Sequence, residues 1–118
     1  MRQFVLVPIL FLAACTKIPL ALPSGTPLSV SVQLSTEEPR RFELPPSSAK
    51  YHQLEEWISN NQYGWSQYLA TTPGSAIYVS VAGGRLQFVG PMVLACPVNG
   101  ACLQKAAKHS EYSFLETQ

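Results

Sequence analysis

Alternating apolar and polar side chains mark three stretches of the chain as half-buried β-strands. The first stretch, residues 28–34, carries leucine or valine at every second position. The second is the short segment 40–44, which a pair of prolines ends. The third, residues 76–90, contains two alternating runs separated by Gly83-Gly84. A two-residue glycine loop suits a tight turn, so we expect these two runs to pair as an antiparallel hairpin.

The pattern of the hairpin also predicts its register. If the two glycines form the loop, apolar residues of one run oppose apolar residues of the other. The polar residues then meet on the second face, which agrees with a hairpin that buries one face only. The expected pairs are Ala82–Arg85, Val81–Leu86, Ser80–Gln87 and Val79–Phe88.

A helix is predicted between the second and third strand regions. Ser47-Ser48 offers hydroxyls for an N-cap, and Asn60-Asn61 or Gly64 offers an end. Between these points an apolar stripe recurs at helical spacing, formed by Tyr51, Leu54, Trp57 and Ile58.

The elements therefore follow one another in the order ββαββ. This order predicts an α+β fold, a small antiparallel sheet with one helix packed across a face, and we assign residues 28–118 to this single domain. Residues 92–95 lead out of the hairpin into a loop, and 103–107 have the spacing of a short helical turn. The tail from residue 110 fits either a last strand or disorder.

The first fourteen residues have the composition of a secretory signal peptide. A basic start precedes an uncharged run, FVLVPILFLAA, which is about half of the ~20 residues that a membrane-spanning helix needs. Pro8 in the middle of the run argues against a buried core helix. We therefore expect residues 1–14 to be a signal peptide that is removed.

The end of this run, Leu12-Ala13-Ala14-Cys15, resembles the lipobox of bacterial lipoproteins. The resemblance covers the first fifteen residues only. It implies cleavage before Cys15, a thioether from the thiol to diacylglycerol, and a fatty acid such as palmitate on the new amino group. Thr16 follows, where an aspartate often retains such proteins at the inner membrane, so the resemblance implies a lipid anchor in the outer membrane that faces the periplasm.

Residues 15–27 would then join the lipid to the domain. Three prolines and a glycine interrupt this segment, which predicts an extended tether that could hold the domain up to about 35 Å from the membrane. The alternative is a tail that packs on the domain through Ile18, Leu20 and Leu22.

The charges of the mature chain balance. Loss of Arg2 with the signal peptide leaves seven of the eight basic residues against seven glutamates, and there is no aspartate. A net charge near zero gives no field that would steer a nucleic acid to the protein, so we exclude nucleic-acid binding.

With Cys15 lipidated, Cys96 and Cys102 remain as an even pair in an oxidising compartment. The five residues between them contain Pro97 and Asn99-Gly100, which favour a turn, so we expect a structural disulfide that closes a short loop. The alternatives are weaker: a metal site would have only His109 nearby, and a redox-active pair usually has two residues between its cysteines.

No residue pattern predicts catalysis, a cofactor site or a metal site. Glu55 and Glu56 are adjacent, so on a helix they point about 100° apart and do not converge. His52 or His109 would need a serine and a glutamate beside it to form a catalytic triad. Without a nucleophile-elbow motif or a phosphate-binding loop, we expect a protein that is not an enzyme.

The densest chemical feature is a group of aromatic residues that follows the helix stripe. Trp57 lies on the stripe and is expected in the core, whereas Tyr63, Trp65 and Tyr68 fit either the core or an exposed surface for a partner. We therefore take these three residues as a possible interaction surface.

These features favour an outer-membrane lipoprotein that acts by protein interaction in the cell envelope. The alternative is a periplasmic inhibitor or immunity protein against a cell-wall hydrolase or toxin. Ser47-Ser48-Ala49-Lys50-Tyr51 is similar to a short motif of lipoproteins that inhibit lysozyme. In that family the motif lies in a loop of an all-β barrel, whereas here it opens a predicted helix.

Overall fold

The computed structural model describes residues 17–18, 20, 25–34, 38–70 and 75–116. Seven strands lie along them: β1 (Leu28–Gln33), β2 (Arg40–Leu44), β3 (Ser66–Gln67), β4 (Ala76–Val81), β5 (Gly84–Val89), β6 (Met92–Pro97) and β7 (Leu103–Ala106). The other described elements are the helices α1 (Ala49–Asn60) and α2 (His109–Tyr112) and a 3₁₀ turn (Ser113–Leu115). The strands form one antiparallel sheet in the order β2-β1-β4-β5-β6-β7-β3.

An antiparallel sheet with a helix and a disulfide near the C-terminus confirms the coarse prediction, but the ββαββ order is wrong. Five strands follow α1. The segment predicted as a helical turn is β7, because Gln104 and its neighbours pair with β6 rather than with one another. β6 carries a continuous apolar run, MVLACP, which lacks the alternation that reveals a strand buried on one face only.

α1 agrees with its prediction in both its ends and its buried face. Ser48 is the N-cap, and its hydroxyl accepts a hydrogen bond from the backbone N–H of Tyr51 at 3.1 Å. At the other end the side chain of Asn61 donates to the carbonyl of Trp57 at 2.7 Å. Side chains next to the helix thus cap both of its ends. The four residues of the apolar stripe are buried.

The core lies between α1 and one face of the sheet. Trp57 links the two layers, since its ring meets Phe88 of β5 edge-on with ring centroids 5.2 Å apart. The strands contribute the inward residues of the predicted alternations, which are Leu28, Val30, Val32, Phe42, Leu44, Ile77, Val79, Leu86 and Phe88, together with Val93 and Ala95 of β6.

The β4–β5 hairpin forms, but its register differs from the prediction by two residues. Val79 pairs with Leu86, and Val81 pairs with Gly84, so Ala82 and Gly83 form the loop. Gly84 belongs to the strand because it pairs with Val81 and with Pro97, and this close pairing requires glycine, since a Cβ there would collide with the carbonyl oxygen of Cys96. A shift of two residues keeps every side chain on its predicted face, because the side-chain period of a strand is two.

Up to Glu116 the C-terminal tail is helical and packed, so this part is neither of the two predicted forms, a strand or disorder. Tyr112 and Leu115 are buried in the core. The Tyr112 hydroxyl donates to the carbonyl of Gly90 at 2.7 Å, and burial raises the pKa of this phenol, with a smaller effect from Glu116.

Glu111 fastens α2 to α1. Its carboxylate accepts the backbone N–H of Lys108 and the indole N–H of Trp57, each at 3.0 Å. These two donors, the backbone group first, hold the pKa of the Glu111 carboxyl below its usual value.

Candidate functional site

The predicted disulfide between Cys96 and Cys102 is confirmed. The two cysteines continue the β6–β7 register by one step beyond the pair Ala95–Leu103, and their Cα atoms are 4.2 Å apart. This separation is close to that of directly opposed residues in the narrow pairs of an antiparallel ladder. The bond therefore crosslinks β6 and β7 beside the loop that joins them.

The N-terminal segment packs on the domain at the residues that can be described. The backbone N–H of Ile18 donates to the carbonyl of Gln62 at 2.7 Å. Ile18 is 5% exposed and Leu20 is 7% exposed, and both belong to the core. These two residues thus follow the second possibility that the sequence left open, a packed tail, and are not part of an extended tether.

Cys15, the predicted signal peptide (residues 1–14) and most of segment 21–27 lie outside the described residues. Ile18 is the third residue after Cys15, and three residue steps span about 11 Å at most. Within the described part of the chain, no helix has the length and apolar character required to cross a bilayer.

An open groove of about 1000 Å³ runs between the N-terminal segment and the polar side of α1. His52, Glu55 and Ser59 line it, and the ring of His52 contacts the Glu55 carboxylate at 3.1 Å. His52 and Ser59 are seven residues apart on the helix, a rise of about 10 Å, so no hydrogen bond can join them. The groove thus contains the residue types of a catalytic triad, but the serine is out of reach of the histidine.

The second histidine has a carboxylate partner, but among the described residues no hydrogen bond joins it to a serine. His109 contacts the carboxylate of Glu116 at 2.7 Å, and its ring lies edge-on to Tyr112. Among the described residues, no three His, Cys, Asp or Glu side chains lie close enough to share a metal ion.

The three aromatic residues of the predicted interaction surface do not form one surface. Trp65 is 1% exposed, packs edge-on against Trp57, and donates its indole N–H to the carbonyl of Asn61 at 2.7 Å. Because its polar group is satisfied internally, the whole indole can be buried, and Trp65 must be removed from the candidate surface.

Tyr63 and Tyr68 flank the short edge strand β3 and remain accessible. Tyr63 is 56% exposed, Tyr68 is half-buried, and the next residue, Leu69, is 83% exposed. The backbone on both sides of β3 is fixed, since Lys105 donates to the Tyr63 carbonyl at 2.9 Å and the Tyr68 N–H donates to the Cys102 carbonyl at 3.0 Å. The edge of the sheet at β3 thus exposes apolar side chains on a backbone that hydrogen bonds hold in place.

A second candidate site lies on the sheet face opposite α1. Sequence reasoning treated this face only as the polar side of the strands and assigned it no role. Four strands meet there around a concavity of about 320 Å³, which we call the arginine groove. It is lined by Ser29, Ser31 and Gln33 of β1, Arg41 of β2, Tyr78 and Ser80 of β4, and Arg85 of β5.

Arg85 is held in place within the arginine groove. Its Nε–H donates to the side-chain oxygen of Gln87 at 2.9 Å, and its guanidinium carbon lies 5.6 Å from the centroid of the Tyr78 ring. Gln87 is completely buried, and its amide nitrogen has no hydrogen-bond partner. The alternation of β5 predicted an exposed position for Gln87, so no sequence signal pointed to this arrangement.

The described part of the molecule therefore offers two accessible sites of different chemistry, an apolar one beside β3 and a polar one at the arginine groove. Neither can be interpreted through relatives. Comparison with known protein families, with curated proteins and with solved structures finds no match to this chain.

Proposed function

We propose that this protein is a lipoprotein of the bacterial envelope, anchored through Cys15 to the periplasmic face of the outer membrane, and that it acts by binding a protein partner. The resemblance of Leu12-Ala13-Ala14-Cys15 to a lipobox and the signal-peptide composition before it support the anchor. A disulfide between Cys96 and Cys102 agrees with an oxidising compartment.

The position of Ile18 is the observation that carries the proposal. Among the described residues the core begins at Ile18, three residues after Cys15, so the lipobox cleavage would leave this part of the fold intact. Two or more acyl chains on Cys15 would hold the protein firmly, since each buried methylene contributes about 0.8 kcal/mol. The domain would then stand against the bilayer, within about 11 Å of its anchor.

A binding role fits the accessible chemistry better than catalysis. The groove along α1 keeps His52 and Ser59 about 10 Å apart, so a nucleophile has no base there. By contrast, Tyr63, Tyr68 and Leu69 place accessible apolar side chains on the two sides of β3, and tyrosine is enriched where proteins meet. We refer to these three residues as the apolar cluster beside β3. We assign the protein contact to this cluster.

Membrane fractionation of a Cys15→Ser variant tests the anchor. We expect the variant to leave the membrane fraction or to stay unprocessed, and mass spectrometry of the wild type to show a chain that starts at an acylated Cys15. A Thr16→Ala variant is the matched control, because it changes the neighbouring residue and keeps the thiol. Wild-type protein with an intact leader and no lipid would refute the anchor.

Affinity capture from envelopes tests the protein contact separately. The wild type should retain a partner that a Tyr63→Ala/Leu69→Ala variant loses at least tenfold, whereas Val98→Ala, which alters an exposed apolar residue elsewhere, should retain it. A cell-wall hydrolase or toxin that is inhibited in the captured complex would favour the inhibitor alternative. Equal capture by all variants would refute the assignment to this cluster.

A further inference from the structure

We propose that the arginine groove is a binding site for a phosphate group, carried by a soluble ligand or by a lipid headgroup. This inference depends neither on the lipid anchor nor on the apolar cluster beside β3. It follows from three features of the groove, which are two arginines on opposite sides, hydroxyl groups between them, and a buried amide that positions one of the arginines.

The two arginines approach the centre of the groove from opposite sides. Arg41 lies on β2 and Arg85 on β5, with β1 and β4 between them, so three strand spacings of about 4.8 Å separate their backbones. Both side chains nevertheless line the same concavity. Two guanidinium-bearing side chains therefore border one concavity above the middle strands.

Small hydroxyl-bearing residues form the floor between the arginines. Ser29 and Ser80 oppose each other in the β1–β4 register, two positions from the pair Ser31–Tyr78 on the same face. The Ser31 oxygen accepts a hydrogen bond from Gln33 at 3.0 Å, so its own proton is left to donate to a ligand. Serine side chains are short, which leaves space above the sheet.

Gln87 positions Arg85 through a hydrogen bond, although its own amide nitrogen is left unpaired. Its side-chain oxygen takes the Nε–H of Arg85, so the terminal guanidinium nitrogens remain available for a bidentate contact. The amide nitrogen of Gln87 stays buried without a hydrogen-bond partner, which destabilises the fold. Buried polar groups without a partner are expected at functional sites, where the position of a binding group is kept even though it lowers stability.

The charge of the groove selects an anion. Its lining contains two arginines and no carboxylate. Glu43 lies on the same sheet face, opposite Ser29, but it does not line the concavity. Phosphate matches this set best, because a tetrahedral dianion can accept from two guanidinium forks and from serine hydroxyls at once, whereas a carboxylate has only two oxygens.

Calorimetric titration of the purified full-length protein tests the inference. The probes are inorganic phosphate, glycerol 3-phosphate, acetate, and vesicles of phosphatidylcholine with or without phosphatidic acid. We expect saturable binding of phosphate groups and none of acetate in the same concentration range. Arg41→Gln and Arg85→Gln should each weaken the affinity roughly 10- to 100-fold, the effect of one charge-assisted contact.

Arg40→Gln is the matched control. It removes the same charge one position before Arg41, but the side chain of Arg40 points away from the groove and donates to the carbonyl of Glu116. This variant should bind within twofold of the wild type. Arg85→Lys keeps the charge but loses the paired donors of the guanidinium group. Its affinity for phosphate should lie between those of the wild type and Arg85→Gln.

The outcomes separate the two sources and can overturn the inference. Binding of the soluble phosphates identifies a soluble ligand, and binding only to vesicles that contain phosphatidic acid identifies a lipid headgroup. In either case Arg85→Gln must weaken the affinity by the expected factor. Absence of saturable binding to every phosphate probe, equal affinity for acetate, or equal losses in the Arg40 and Arg41 variants would each refute the site.

Discussion

Replacement of Ile18 by alanine tests whether the N-terminal segment is part of the folded domain. Ile18→Ala removes three carbon atoms from a side chain that is 5% exposed, while the backbone N–H that donates to Gln62 is retained. At about 0.8 kcal/mol per buried carbon the transfer free energy lost is about 2.4 kcal/mol. Residual burial in the unfolded chain reduces this by 10–40%, so we expect the free energy of unfolding to fall by about 2 kcal/mol.

Urea denaturation of the purified protein, followed by tryptophan fluorescence, measures this change. Trp57 and Trp65 are both buried, so unfolding exposes both indoles and gives a strong signal. With a urea dependence of about 1–3 kcal/mol/M for a small domain, the midpoint should fall by about 1 M.

Lys17→Ala is the control for the Ile18 substitution, because it changes the adjacent exposed residue and should leave the midpoint in place. If Ile18→Ala unfolds at the same urea concentration as the wild type, the segment does not pack and the extended tether is restored. A loss of several kcal/mol with a changed urea dependence would instead mean that the segment is required for the whole fold.

Three further predictions concern the disulfide and the C-terminal helix. A Cys96→Ser/Cys102→Ser variant should lose about 2 kcal/mol of stability in urea titrations, because the crosslink closes only a short loop. Because the pKa of Glu111 is lowered in the folded state, its ionised carboxylate stabilises the fold above pH 4.5, the ordinary pKa of the group. This stabilisation is lost as the pH falls through the folded-state pKa, so the stability of Glu111→Gln should depend less on pH in the acid range. Tyr112→Phe should cost about 1 kcal/mol at neutral pH through the lost bond to Gly90. The pKa of Tyr112 is raised above 10.0, so above that pH the phenol ionises more readily in the unfolded chain and the wild type loses stability; the stability of Tyr112→Phe should fall less over the same range.

The elements that could be predicted are those with a clear periodicity. The alternation of β1 places Leu28, Val30 and Val32 in the core, and the stripe of α1 does the same for its four residues. Both patterns arise from burial of one face, which leaves a polar residue at each exposed position. The disulfide was also predictable, since cysteine number and loop length depend on the chain alone.

The elements that were missed depend on contacts between distant parts of the chain. β6 escaped the pattern because Leu94 on one face and Val93 on the other are both fully buried, so no alternation remains. Trp65 could be assigned to the core only once the Asn61 carbonyl was known to satisfy its indole N–H. The arginine groove arises from a register across four strands, and no local pattern encodes which side chains meet there.

The two outer strands of the sheet matter for a protein that is crowded on a surface. β2 exposes Arg40, Arg41 and Glu43, and β3 is only two residues long. The proposed lipid anchor would confine copies to two dimensions, where they would collide often and in similar orientations, so a long unpaired edge strand would favour strand addition between neighbouring molecules. The charged side chains of β2 and the short length of β3 oppose such polymerisation. Densely packed copies of this protein should therefore remain separate molecules.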